Sequence, residues 1–169
     1  MRFPTVTGAN LLRQNMTLPY ELEGELNLLL VAFYTAQQPL VDSWLPLAEQ
    51  NAQDNSGFYY YEVPVIQEMN PIAHAIIDEG MRAGIPDPDT RRRTVTLYLD
   101  KMAFLQKLGL PDDRNVYILL VDRLGNVHWQ ASGFYTPETG EELNAFLQRY
   151  HLARMHGLDA GLVRVRQWN

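Results

Sequence analysis

The chain has 169 residues, 46% of them hydrophobic and 20% charged, with a net charge of −6 and a pI near 5.1. This length and balance fit one globular domain that can bury a sizeable core without help from metals or disulfides. The acidity argues against general affinity for nucleic acid, where basic patches supply most of the binding energy, and the absence of cysteine excludes disulfides, Cys–zinc sites, iron–sulfur clusters and a cysteine nucleophile together. No stretch approaches the ~20 apolar residues that span a bilayer. The start, Met1-Arg2-Phe3-Pro4, lacks a signal-peptide shape, so the expected compartment is the cytoplasm.

In chain order, residues 3–18 are turn-rich and read as a hairpin or irregular N-terminal cover. Residues 27–34 (NLLLVAFY) form a nearly continuous apolar run, as in a strand buried on both faces. Val41, Trp44, Leu45, Ala48 and Ala52 then fall at helical spacing, with Pro46 inside the stripe as a kink. Residues 58–66 (FYYYEVPVI) are aromatic and β-branched, a second strand of the same buried kind. Asn70-Pro71 supplies a cap and a first helical residue for a helix to about Ala83, closed by Gly84. Residues 85–93 read as a loop, 94–99 as a third strand, and Asp100 as the cap of a short helix closed by Gly109. Residues 116–122 and 126–132 form a hairpin around Arg123-Leu124-Gly125. Thr136-Pro137-Glu138 opens a last helix with Leu143, Phe146, Leu147 and Tyr150 on its apolar face. The alternation of strands and helices is that of an α/β protein with a central mixed sheet flanked by helices. Residues 1–150 form the expected domain, and 151–169 a tail packed on it or extending from it, with Val163, Val165 and Trp168 as possible anchors.

A strand ending in Phe33-Tyr34, followed by a helix interrupted at Pro46, resembles the thioredoxin-like superfamily, redoxins and peroxiredoxins included. Trp44 in VDSWLP, and then Asp122, Gly125, Trp129, Gly133 and Glu141-Glu142 in 116–147, are most similar to the mitochondrial ATP synthase assembly-factor family within it. The resemblance implies a thioredoxin-like fold with an N-terminal extension and an insertion, 67–110, between its two halves. In the thioredoxin register the two cysteine positions fall on Gln38 and Val41, and in the peroxiredoxin register the nucleophile falls on Asp42. No thiol-disulfide oxidoreductase or peroxidase activity is therefore expected. The strand that thioredoxins open with a cis-proline begins here Asn115-Val116-Tyr117.

By this resemblance, the segment 34–39 lies beside 115–117, where thioredoxins hold extended peptide. Tyr34 and Tyr117 would offer amphipathic contact surface, Gln37 and Gln38 would bond a peptide backbone, and Thr35 and Asp42 complete the candidate binding set. The blander reading makes 35–39 a connecting loop, Asp42 a favourable first-turn acid, Trp44 core, and both tyrosines packed. His74 and Asp78 stand four apart on one helix without a third ligand, so no metal or cofactor is expected. His128 alternates with Trp129, so it should face the surface when Trp129 faces the core. His151 and His156 share no helix face, and Arg91, Arg92 and Arg93 read as a solvated loop run. The preferred function is a non-catalytic binding or assembly protein whose partner is a protein or peptide segment. The alternatives are a redox-inactive member of a thiol enzyme family and an enzyme of unrelated chemistry around Gln38, Asp42 and His74.

Overall fold

The computed structural model describes residues 1–157, so Val163, Val165 and Trp168 lie outside the described residues. The apolar run folds as β3 (Leu26–Ala32), whose first six residues are all buried. It pairs in parallel with β4 (Phe58–Gln67) and antiparallel with β6 (Tyr117–Asp122), which turns back into β7 (Val127–Ser132). The segment between β4 and β6 contributes a strand of its own, β5 (Val95–Leu99), parallel to β4. The N-terminal hairpin, β1 (Val6–Asn10) and β2 (Asn15–Leu18), then adds to β5. The result is one seven-stranded mixed sheet in the order β2-β1-β5-β4-β3-β6-β7. The expected cover is thus part of the sheet. Gly8 permits the join, because a Cβ there would stand 2.5 Å from the Thr96 carbonyl oxygen.

Among the described residues five helices flank this sheet: α1 (Gln38–Asp54), α2 (Pro71–Gly84), α3 (Pro88–Arg93), α4 (Lys101–Leu108) and α5 (Pro137–Met155). Asn70, Asp100 and Thr136 cap α2, α4 and α5 by accepting the N–H three residues on, the geometry that satisfies an otherwise orphaned donor. The expected loop 85–93 instead contains α3, capped by Asp87 with Pro88 in its first turn. Its arginines are not simply solvated. Arg91 donates to the carbonyls of Ile85 and Arg82, Arg92 pairs with Glu23, and Arg93 lies over the rings of Tyr59 and Tyr60 at 4.3 and 4.4 Å. α5 runs on to Met155, across the boundary expected at 150.

Alternation along the strands sends side chains into two apolar layers. One holds Leu29, Val31, Val63, Leu97, Tyr117 and Leu119 against α4 and the N-terminal Phe3 and Leu18. The other holds Leu28, Leu30, Ile118 and Leu120 against α1 and α5. β4 departs from the expected two-sided burial: Tyr61, Val63 and Val65 are buried, but Tyr60, Glu62 and Pro64 are only half-buried. Pro64 also lacks an N–H. The β4–β5 ladder is accordingly interrupted between the Glu62–Thr94 bridge and Val65.

His128 corrects another expectation. Val121 pairs with Val127 while Leu120 pairs with Trp129, so His128 is the extra residue of a bulge. Its ring packs near Phe146 and Tyr150, in the same layer as Trp129, and bonds the Asp122 carboxylate at 2.9 Å.

α1 continues through Pro46 and buries Val41, Trp44 and Ala48 on the expected stripe. Trp44 is fully buried; its Nε1–H donates to the Gly133 carbonyl at 2.9 Å, and its ring meets Trp129 and Tyr135 edge-on. Trp44→Ala should therefore destabilise the fold by about 3–5 kcal/mol, read as a lower urea midpoint at unchanged slope; a loss under about 1 kcal/mol would place this helix outside the core.

Candidate functional site

The C-terminal ends of β3 and β4 meet the start of α1. β3 leads through Phe33 and Tyr34 into a single 3-10 turn, Thr35–Gln37, which runs directly into α1. Asp42 is consequently not in the first turn, as expected, but one turn inside the helix. Gln38 lies four residues before it, and its amide donates to Asp42 Oδ1 at 2.9 Å and to Glu62 Oε2 at 3.2 Å.

The two neighbouring glutamines have opposite fates. Gln38 is exposed, whereas Gln37 is buried. Gln37 Oε1 accepts the N–H groups of Phe33 (2.7 Å) and Tyr34 (3.3 Å), and its Nε2 donates to the Asp113 carbonyl at 2.8 Å. Its amide is committed to the chain's own backbone and is not free to hold a peptide. Tyr117 does not offer contact surface either. It is 2% exposed, packs edge-on against Phe33, and donates its hydroxyl to the Asp112 carbonyl at 2.8 Å. Burial accounts for the upward shift of its pKa, ahead of the opposing effect of that hydrogen bond.

Tyr34 is half exposed, but it is tethered. Its hydroxyl donates to Asp113 Oδ2 at 2.5 Å, and Lys101 Nζ reaches Asp113 Oδ2 at 2.9 Å while lying 4.1 Å from the Tyr34 ring centroid. Donation from Tyr34, then from Lys101, holds the Asp113 carboxyl below the usual range despite some desolvation. The expected groove between 34–39 and 115–117 is therefore bridged by Gln37, Tyr34, Lys101 and Asp113.

A different opening lies on the other side of the loop. A cavity of about 370 Å³ is bounded by Tyr34, Thr35 and Gln38, by Glu62, Pro64 and Ile66 of β4, and by Ile77, Met81 and Ile85 in and after α2. Apolar walls with a few polar groups at one edge are the usual composition of a ligand pocket. Glu62 is the charged group there. Desolvation raises its carboxyl pKa; the Gln38 hydrogen bond opposes this, and the Asp42 charge adds to it. Glu62, Lys101 and Asp113 carry no signal in the sequence, because their partners are distant in the chain. The spacing of Ile77, Met81 and Ile85 was the available signal for the cavity wall. Among the described residues no three His, Asp or Glu groups converge to hold a metal.

With the geometry in place, the family model described as "ATP10 protein" matches residues 1–149. The chain belongs to the ATP10 family. No curated protein matches this ATP10-family chain. Solved structures share its thioredoxin-like fold at low identity. A putative electron transport protein from Aquifex aeolicus is similar at TM-score 0.59 and 11% identity, covering 85% of this chain and 93% of its own. A thiol:disulfide interchange protein from Bacteroides sp. is similar at 0.56 and 16%, covering 87% and 88%. BsSco, a member of the Sco family of cytochrome c oxidase assembly proteins, is similar at 0.52 and 14%, covering 87% and 91%. At the start of α1 this ATP10-family chain carries an exposed Gln38 and a buried Val41, and it has no cysteine. Among the described residues no helix is long and apolar enough to cross a membrane.

Two outcomes test the site's geometry. Gln37→Ala strands the Phe33 N–H and should cost about 2 kcal/mol, whereas Gln38→Ala should change stability by less than about 0.5 kcal/mol; equal effects in chemical denaturation would contradict the division of roles. Glu62 is easier to protonate folded than unfolded, so its contribution to stability is present below the unfolded value of about 4.3 and is lost as pH rises through the folded value. Glu62→Gln should thus raise the melting temperature at pH 7 and lose that advantage near pH 4; no gain at pH 7 would mean the carboxylate is well solvated.

Proposed function

We propose that this protein is a non-catalytic binding or assembly protein on a thioredoxin-like scaffold. The observation that carries the reading is the chemistry of the site: no thiol stands at the start of α1, and an apolar cavity opens beside Gln38 instead. The hydroxyls, the amide and the one carboxylate around this apolar recess supply no activated nucleophile, because Glu62 shares its amide donor, Gln38, with Asp42 and no histidine or lysine pairs with either carboxylate among the described residues. The same groups suit recognition. An apolar side chain of a protein segment would fill the recess between Pro64, Ile77 and Met81, and Gln38 and Thr35 would bond its backbone at the rim. Tyr34, half exposed at the same rim, adds amphipathic surface. Family membership supports a client that is a subunit of the ATP synthase.

The test is genetic and biochemical together. Deleting the gene in its native organism should deplete assembled ATP synthase on native gels. The wild-type chain should restore assembly, and a folded Met81→Asp variant, which places a charge in the recess, should not. Assembly unchanged by the deletion would overturn the assembly role. Peroxide or disulfide turnover by the purified chain would overturn the non-catalytic one.

A further inference from the structure

A second recess lies on the other side of α2, between that helix and the β1–β5 junction. It encloses about 370 Å³, and its polar walls are Glu68, His74, Asp78, Thr96, Tyr98 and Asn15. Alternation explains the arrangement. Val95 and Leu97 enter the core layer with α4, so Thr96 and Tyr98 project toward α2. His74 and Asp78, one turn apart on α2, come down over them.

Two polar atoms in this recess make no hydrogen bond among the described residues. Thr96 is 3% exposed, yet its Oγ1 makes no hydrogen bond, and neither does buried His74 Nε2. A buried hydroxyl left unpaired costs about 1–3 kcal/mol. His74 stacks on the Tyr98 ring at 3.7 Å between centroids and 14° between planes, so the imidazole is held in place. Its Nε2 stands 3.5 Å from Glu68 Oε1. Tyr98 donates its hydroxyl to Asp78 Oδ1 at 2.8 Å, which leaves the second carboxylate oxygen open. The recess therefore has two carboxylates and no arginine or lysine paired with either among the described residues. Arg82, in the last turn of α2, and Arg13 both turn to Glu79 instead.

We propose that this recess binds a primary alkylammonium group. Such a group brings one positive charge and three N–H donors and needs no donor from the protein. Glu68 and Asp78 neutralise the charge, and Thr96 Oγ1 and His74 Nε2 accept from the ammonium. An anion would meet two carboxylates. A metal ion needs ligands at about 2.0–2.3 Å, and no three His, Asp or Glu groups are placed to hold one among the described residues, whereas an ammonium reaches its acceptors at about 2.8 Å. The ammonium has two plausible chemical sources, a free diamine or polyamine and the lysine side chain of a protein.

The full-length chain, labelled with 15N, is titrated at neutral pH with putrescine and separately with N-acetyl-lysine methylamide. Saturable shifts confined to β1, β5 and α2 support the site, and the tighter of the two probes identifies the source. Asp78→Asn should weaken binding by roughly tenfold, the loss expected for a charge-assisted hydrogen bond, and Glu68→Gln, which removes a neighbouring charge but no N–H contact, by less than that. Thr96→Val is the discriminating variant. It deletes an unpaired buried hydroxyl without opening a hole, so the free protein should be at least as stable while binding weakens. Gln38→Ala should bind both amines like the wild type, so failure here is distinct from failure of the cavity beside α1. Three results would overturn the proposal: no saturable shift with either amine, equal shifts with n-butanol, or affinity unchanged by both Asp78→Asn and Thr96→Val.

Discussion

The buried carboxamide of Gln37 ties together three pieces of backbone: the end of β3 at Phe33, the turn into α1 at Tyr34, and the loop before β6 at Asp113. Hydrogen bonds of this kind are strong in a low-dielectric interior, and leaving them unmade is costly there. The tie fixes where α1 begins. It therefore fixes the position of Gln38 and the stripe that seats Trp44 under Gly133. It also closes the space between the two loops, and the Tyr34–Asp113–Lys101 cluster closes its outer edge. The junction is sealed by an amide, and the accessible space lies on the α2 side.

The α2 side is the soft part of the structure. α2 has no fully buried residue, and Ile72 and Ile76 on its outer face are largely exposed. It spans two recesses, the apolar one beside Gln38 and the acidic one over Thr96. Beneath it Pro64 removes a donor from the β4–β5 ladder. Elements with few buried contacts open at the lowest free energy, so a ligand on either side of α2 meets the least resistance. The rigid half, β3 with β6, β7, α1 and α5, carries the two aromatic contacts of Trp44 and the buried strand residues.

Much of the fold was legible because its signals are local. An unbroken apolar run gave β3, helical spacing gave the buried face of α1, and caps at Asn70, Asp100 and Thr136 gave three helix starts. Asp87-Pro88 carries the same capping chemistry as Asn70-Pro71, but α3 is only six residues long and has no apolar stripe to reveal it. The site was less legible because its determinants are distant in sequence. Nothing local distinguishes Gln37 from Gln38; the difference is the Asp113 carbonyl, 76 residues away. Tyr117 shares strand parity with buried Leu119 and Val121, but the run around it is apolar on both faces, so parity alone did not decide its exposure. His128 changed sides through a bulge, which no alternation pattern contains.

The central claim is that the junction of β3, α1 and the loop before β6 is closed from within by Gln37. Amide hydrogen exchange at Phe33 tests it most directly, because that N–H lies beyond the end of β3 and is protected in this account only by the Gln37 side chain. The account predicts exchange at Phe33 as slow as in β3 itself. Exchange as fast as in an exposed loop, in an otherwise folded protein, would contradict it.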